Sequence, residues 1–203
     1  LFNRKTSTKS IERSQAFDIS YLQFSGPETI QYTNELLVNN SCFFRKYYIG
    51  EDSPETRAVS NIISKSIQQP FYTEMRTNQQ LGYIVWSYAR SLDESYYLNF
   101  LIQSGVYPAD ELDKRANAFI DTAPEFLREM DQETYQQLID SAIEELEKKP
   151  MSISERAAKL KTLIFEHEAD YKRDQKTIEA LRALDKDFLV SYLERVISKD
   201  KKW

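Results

Sequence analysis

Cysteine and histidine are almost absent from this 203-residue sequence, which contains one of each, Cys42 and His167. A single cysteine excludes a disulfide within the chain and any cysteine cluster that could hold a metal. One cysteine and one histidine cannot supply a Cys–His pair near in sequence or a two-histidine zinc site. We therefore interpret Cys42 as a core residue and His167 as a surface or boundary residue.

Glycine is also scarce, at four residues, which excludes a glycine-rich phosphate-binding loop and predicts long regular elements. The longest uncharged apolar runs are far shorter than the ~20 residues that span a bilayer, so we expect no membrane partner. The net charge is −5 and no basic face is evident, so we expect no nucleic-acid partner either. Neighbouring carboxylates, such as Glu144 and Glu145, lie in highly charged helical contexts and are interpreted as solvated surface rather than an acid–base pair.

The first part of the sequence is polar and basic. It lacks an initiating methionine and the apolar segment of a signal peptide. We predict that residues 1–27 are a linker with the end of a preceding domain, and that the chain was cut from a longer polypeptide. Residues 28–203 are predicted to form one domain. The whole chain is 41% hydrophobic and 13% aromatic, which is enough to build a sizeable core.

Two strand-like runs open this domain, at residues 29–38 and 41–49, and the Asn39-Asn40 pair between them predicts a hairpin turn. Ser53-Pro54-Glu55 then carries the N-cap, first-turn proline and early acidic residue of a helix start. Strands are predicted at residues 83–87 and 95–104, with a polar connection at 89–94. The second of these alternates Tyr96, Leu98, Phe100 and Ile102 with a mixed polar face.

Beyond Pro108 the sequence predicts helices to its end, in five apolar stripes. One of them opens with the capping box Ser152-Ile153-Ser154-Glu155. Two strands, a helix, two strands and several helices indicate an α+β domain, a two-layer sandwich in which helices pack on one face of a mainly antiparallel sheet.

The segment with the clearest functional potential is residues 74–85, Glu-Met-Arg-Thr-Asn-Gln-Gln-Leu-Gly-Tyr-Ile-Val. A polar helical run is expected to break at Gly82 and to continue as a β-branched and aromatic strand. This corner would hold Arg76 and Tyr83 close together, offering a fork of donors and a hydroxyl to carbonyl or carboxylate oxygens. The simpler alternative is structural: Arg76 is a helix-end cation that pairs with a carbonyl, and Tyr83 is a half-buried sheet tyrosine.

Residues 71–85 closely resemble the C-terminal domain of the pitrilysin/insulin-degrading-enzyme family of zinc metallopeptidases. An Arg-Thr-x-x-Gln-Leu-Gly-Tyr-x-Val segment recurs there. The similarity extends over roughly residues 28–198, from the Pro54 helix through Phe100-Leu101-Ile102-Gln103-Ser104 to the last helices. It implies a metallopeptidase LuxS/MPP-like fold and the fourth of four homologous domains, which together close around a chamber.

The resemblance also implies a function. Arg76 would hold a peptide carbonyl and Tyr83 the scissile carbonyl or its oxyanion, near a zinc ion bound by the first domain through His-x-x-Glu-His. This chain has no such motif, so it is expected to bind no zinc and to be inactive alone. Its implied partners are peptide substrates and the N-terminal domains of the same polypeptide.

Three further points follow from the resemblance. Relatives occur in the bacterial periplasm and in the eukaryotic cytosol, and the periplasm is the favoured compartment. The family domain usually ends with one more strand after the last helix; because this chain stops at Lys201-Lys202-Trp203, either its sheet lacks that strand or its end was trimmed. The alternative function is a non-catalytic scaffold or partner subunit, as in relatives that lost the zinc motif.

Overall fold

The structure is a computed structural model that describes residues 29–30, 32–34, 37–92 and 94–198. Within them it has three strands: β1 (Ser41–Glu51), β2 (Ile84–Leu92) and β3 (Ser95–Ser104). Six α-helices accompany them: α1 (Pro54–Tyr72), α2 (Ala109–Glu129), α3 (Gln132–Glu147), α4 (Ile153–Glu166), α5 (Arg173–Arg182) and α6 (Lys186–Ile197). Helix α1 continues into a π-helical segment, Thr73–Asn78. All these elements belong to one compact unit, residues 33–199, and the described residues 29, 30 and 32 of a second unit have no regular secondary structure.

The sheet is antiparallel, with β3 in the centre and the strand order β1-β3-β2. On one face the side chains are buried: Ile102 lies between its register partners Phe43 and Val85. Helix α1 covers this face with residues at helical spacing, among them Ile63 and Phe71, which are fully buried. The predicted α+β architecture, with helices on one face of an antiparallel sheet, is confirmed.

Aromatic contacts join the two layers and the following helix. The Phe71 ring lies 5.1 Å from that of Phe100 on β3 and 5.3 Å from that of Phe119 on α2, both edge to face. Edge-to-face contacts place the positive edge of one ring on the negative face of another. Phe71 therefore fixes the end of α1 against the sheet centre, immediately before the π-helical segment.

Helix starts follow the predicted caps. The Ser53 hydroxyl accepts from the Thr56 amide at 3.0 Å, and the Ser152 hydroxyl accepts from the Glu155 amide at 3.1 Å. The Glu155 carboxylate accepts from the Met151 amide, one residue before the N-cap, so this box is shifted by one residue from the usual pattern. All five helices predicted beyond Pro108 are present.

Several predictions about the first strands and Cys42 are wrong. The described residues of 29–40 form no strand and no hairpin, because their apolar side chains, such as Ile30 and Leu37, are exposed and have no face to bury. Strand β2 runs to Leu92, since its polar end still pairs with β3. Cys42 points to the uncovered face of β1 and is exposed rather than a core residue.

The predicted boundary between residues 27 and 28 and the region after residue 198, where the family's final strand would follow, both lie outside the described residues. Among the helices of the described residues, none combines the length and apolarity needed to cross a membrane.

Candidate functional site at the end of helix α1

The end of α1 widens into π-helical geometry before the chain turns into β2. The Gln79 amide donates to the Glu74 carbonyl at 2.9 Å, and the Leu81 amide donates to the Met75 carbonyl at 2.9 Å. The wider spacing adds residues without adding a turn, and such segments are frequent at functional sites. The buried Met75 and Leu81 side chains hold the segment on the core.

The Glu74 side chain links the start of the π-helical segment to its end. Its carboxylate accepts from Asn78 Nδ2 at 2.7 Å and from Gln79 Nε2 at 2.9 Å. These hydrogen bonds, from Gln79 first and then Asn78, hold the pKa of Glu74 below its ordinary value because they favour the charged form. We call these two hydrogen bonds the Glu74 clamp. The sequence interpretation missed them, although the four-residue spacing of Glu74 and Asn78 on a helix could have indicated one of them.

The reversal of the chain occurs at Gln80, not at Gly82 as predicted. Gln80 has φ of 51°, the left-handed region, whereas no glycine has a positive φ among the described residues. Gly82 is needed for space instead: a β-carbon there would lie 1.9 Å from the carbonyl oxygen of Gln103. The missing side chain allows the backbone at Gly82 to approach β3 closely.

Arg76 lies on the last turn of the π-helical segment and reaches across the corner. Its Nη1 donates to the Gly82 carbonyl oxygen at 2.6 Å, and its guanidinium carbon lies 5.1 Å from the centre of the Tyr83 ring. A cation at this distance is attracted to the ring face. No carboxylate within the described residues forms an ion pair with Arg76, so the positive charge of this half-buried side chain is not neutralised there.

Tyr83 precedes β2, which is an edge strand of the sheet. Its side chain is 82% exposed, so it is not the half-buried sheet residue of the structural alternative. Arg76 does pair with a carbonyl, that of Gly82, as that alternative requires, but one hydrogen bond occupies only one of its five donors. The corner therefore brings a cation and an exposed phenol together, as the sequence predicted.

The face of the sheet opposite to α1 is not covered by any helix of the described residues. Phe44, Leu101 and Trp86 form one row across β1, β3 and β2, and both Phe44 and Trp86 are more than half exposed. Large exposed apolar side chains in a row are uncommon on a monomer surface and indicate a contact surface. The sequence predicted a mixed, partly exposed face on the strand that carries Leu101, but it gave no register that would align Phe44 and Trp86 with it.

A groove of about 680 Å³ lies on the other side of the π-helical segment, between it and α2. Its walls include the Glu74 clamp on one side and the stacked rings of Phe119 and Phe126 on the other. Arg76 and Tyr83 do not line it. The groove and the Arg76–Tyr83 corner are therefore separate features.

The described residues offer no fitting donor set for a zinc ion. No three histidine, cysteine, aspartate or glutamate side chains of that part of the chain group closely enough to hold a metal. His167 lies at the C-terminal end of α4, partly exposed, which agrees with its interpretation as a boundary residue. We therefore derive no chemical step through a metal bound by these residues.

Comparison with known proteins identifies the relatives of this domain. A family model described as "PQQ synthase PqqF-like, C-terminal lobe domain 4" matches residues 62–161, which include Arg76 and Tyr83. Insulin-degrading enzyme of Mus musculus is 29% identical over 195 residues, or 95% of the chain. Protease 3 of Escherichia coli strain K12 is 32% identical over 111 residues, or 55% of the chain. The chain is thus similar to C-terminal domains of the pitrilysin and insulin-degrading-enzyme family.

The crystal structure of pitrilysin has the same fold, with a TM-score of 0.72 over 79% of this chain and 17% of that chain, at 24% identity. The chain spans 19% of the mouse enzyme and 12% of protease 3. It thus corresponds to about a fifth or less of the relatives it matches.

Proposed function

We propose that this chain is the substrate-binding C-terminal domain of a zinc metalloendopeptidase that degrades peptides inside a closed chamber. Arg76 and Tyr83 would hold the peptide backbone beside a zinc ion that another domain of the same polypeptide binds. The observation that carries the proposal is the contact between Arg76 and Tyr83. The Arg76 guanidinium forms no ion pair within the described residues, and it lies against the ring of the exposed Tyr83.

Arg76 suits a peptide carbonyl because its remaining donors form a planar fork. The bond to the Gly82 carbonyl fixes the guanidinium, so little conformational entropy remains to be lost when substrate binds. The Glu74 clamp keeps the π-helical segment, and with it Arg76, in one geometry. Arg76 is therefore a preorganised donor.

Tyr83 suits the carbonyl of the bond to be cleaved. Its hydroxyl can donate to the carbonyl oxygen and more strongly to the oxyanion that forms when water attacks the carbonyl carbon. A donor aimed at developing negative charge contributes about 3 kcal/mol to the transition state.

The uncovered sheet face gives the substrate a surface to lie on. Phe44, Leu101 and Trp86 form a row across that face, and Trp86 lies three residues after Tyr83 in the chain. Apolar and aromatic residues of this kind bind peptide side chains without selecting one sequence. This fits a peptidase that accepts more than one peptide.

The function is tested by peptide cleavage with the full-length polypeptide that contains this domain. Arg76→Ala should lower kcat/KM by about 100-fold, as for the loss of a preorganised charge-stabilising donor. Arg90→Ala, at the exposed far end of β2, is the matched control and should leave kcat/KM unchanged.

Cleavage by Arg76→Ala at the wild-type rate would refute the substrate-binding role of Arg76. A full-length polypeptide that cleaves no peptide and binds no zinc would instead support the non-catalytic scaffold or partner subunit. Cleavage kinetics and a zinc analysis of the full-length polypeptide distinguish the two outcomes.

A further inference from the structure

Helix α4 carries an apolar stripe that nothing in the described residues covers. Ile153, Ala157, Leu160 and Ile164 recur at spacings of three and four residues, which places them on one face of the helix. Ile153 is 90% exposed and Ile164 is 47% exposed, and Leu163 is the only buried residue of the helix. We call these four residues the α4 stripe.

Cations line both sides of the α4 stripe. Arg156 lies one turn from Ile153 and Leu160, and Lys161 lies one turn from Ala157 and Ile164, on the opposite side. Both are exposed, and neither forms an ion pair within the described part of the chain. Lys159, by contrast, points away from the stripe and pairs with Asp174 of α5 at 2.5 Å, which attaches the helix to the domain.

We propose that the α4 stripe docks on another domain of the same polypeptide, against an apolar surface bordered by acidic side chains. The proposal rests on the proposed function in one respect, that the chain is one domain of a longer polypeptide. The matched family model is a domain 4 of a C-terminal lobe, and it covers α4 as far as Lys161. The mouse relative is about five times longer, since the chain spans 19% of it.

Charge argues against a second copy of this chain as the occupant. Two α4 stripes placed face to face would bring Arg156 and Lys161 of one copy against the same cations of the other. Like charges at such a contact oppose association. An acidic border on the occupant would instead pair with both cations at the rim of the interface.

Charge also argues against an anionic lipid surface. Helix α4 contains Arg156, Lys159 and Lys161 but also Glu155 and Glu166, and the whole chain has a net charge of −5. Helices that lie on anionic membranes usually carry a strongly basic polar face. A docking surface within one polypeptide needs no such excess of positive charge.

The proposal is tested by hydrogen exchange of the α4 amides in the full-length polypeptide and in the 203-residue chain. We expect these amides to exchange at least about tenfold more slowly in the full-length polypeptide, because docking suppresses local opening. Ile164→Glu should abolish that difference. Thr162→Glu, which adds the same charge on the opposite face of the same turn, is the matched control and should retain it.

Equal exchange in the two proteins would overturn the proposal, and so would binding of the 203-residue chain to phosphatidylglycerol vesicles through the α4 stripe. The outcome is separable from that of the proposed function. A full-length polypeptide that protects α4 but cleaves no peptide would refute only the peptidase role. One that cleaves peptides and leaves α4 unprotected would refute only the docking.

Discussion

Arg76 donates to the carbonyl oxygen of Gly82 at 2.6 Å, the residue directly before Tyr83, and its guanidinium carbon lies 5.1 Å from the centre of the Tyr83 ring. One arginine thus fixes the chain reversal and contacts the phenol that follows it. The structural and the functional interpretations of Arg76 are therefore compatible. The bond to Gly82 leaves other donors of the guanidinium for a substrate.

Gly82→Ala should destabilise the domain by about 3 kcal/mol, at the upper end of the cost of overpacking. The added methyl carbon would lie 1.9 Å from the backbone oxygen of Gln103, so β2 or the corner must move away from β3. Gly105→Ala is the control, because its β-carbon would meet nothing closer than 3.5 Å. Urea unfolding of both variants checks this, and equal stability of the two would contradict it.

Asp52→Asn should cost about 3 kcal/mol of unfolding free energy, because it leaves two poorly exposed guanidinium groups without their anion. Asp52 pairs with Arg57 Nε at 3.0 Å and with Arg173 at 2.5 Å and 3.0 Å, and so joins β1, α1 and α5. Burial and the neighbouring Arg173 already lower the pKa of Arg57. Removing the Asp52 carboxylate therefore leaves the positive charges of Arg57 and Arg173 facing each other.

The matched control for Asp52→Asn is Asp113→Asn. It breaks the more exposed pair with Arg45 and should cost about 0.5 kcal/mol, as exposed ion pairs usually do. Thermal or urea unfolding separates the two. A cost below 1 kcal/mol for Asp52→Asn would show that the cluster is solvated like a surface pair.

Tyr135 should make the domain sensitive to alkali. Burial, with a smaller contribution from Asp185, raises the pKa of Tyr135 to about 12 from an ordinary value near 10. The folded state thus favours the protonated phenol, whose hydroxyl donates to the Leu184 carbonyl at 3.0 Å. This stabilisation is fully present below pH 10 and is lost as the pH rises through about 12.

Tyr135→Phe should cost about 1 kcal/mol at pH 7, the net value of one hydrogen bond. The difference from wild type should shrink between pH 10 and 12, because only wild type then has to bury or release a phenolate. Urea unfolding at several pH values checks this. A difference that stays constant up to pH 12 would contradict the shifted pKa.

The sequence predicted the fold where local signals agree with the tertiary structure. Strand β3 carries an apolar residue at every second position from Tyr96 to Ile102 and has the predicted bounds. Helix α1 begins after Ser53 because the cap and Pro54 both favour a start there. The apolar run at 29–38 has β propensity, but propensity forms a strand only when a partner and a covering layer are present. Its described residues have neither.

The sequence predicted which two residues meet at the Arg76–Tyr83 corner, but it did not predict the backbone conformation that brings them together. The sequence placed a cation at a helix end and a phenol at a strand start, seven positions apart in one short segment. Neither the π-helical segment nor the left-handed Gln80 has a local signature, because both depend on Met75 and Leu81 being buried in the core. The roles of Arg76 and Tyr83 in binding substrate stay predictions.

The most direct test of the account is the kcat/KM of Tyr83→Phe in the full-length polypeptide with a peptide substrate. This change removes one hydroxyl from a ring that is 82% exposed, and it keeps the contact between the ring and Arg76. The melting temperature should therefore stay unchanged. Tyr171→Phe, on an exposed turn between α4 and α5, is the matched control.

We expect Tyr83→Phe to lower kcat/KM by about 100-fold, mainly through kcat, because the hydroxyl would act on charge that develops only in the transition state. Tyr171→Phe should cleave the peptide like wild type. A Tyr83→Phe enzyme with wild-type kcat/KM would contradict the account, since its hydroxyl would then take no part in cleavage.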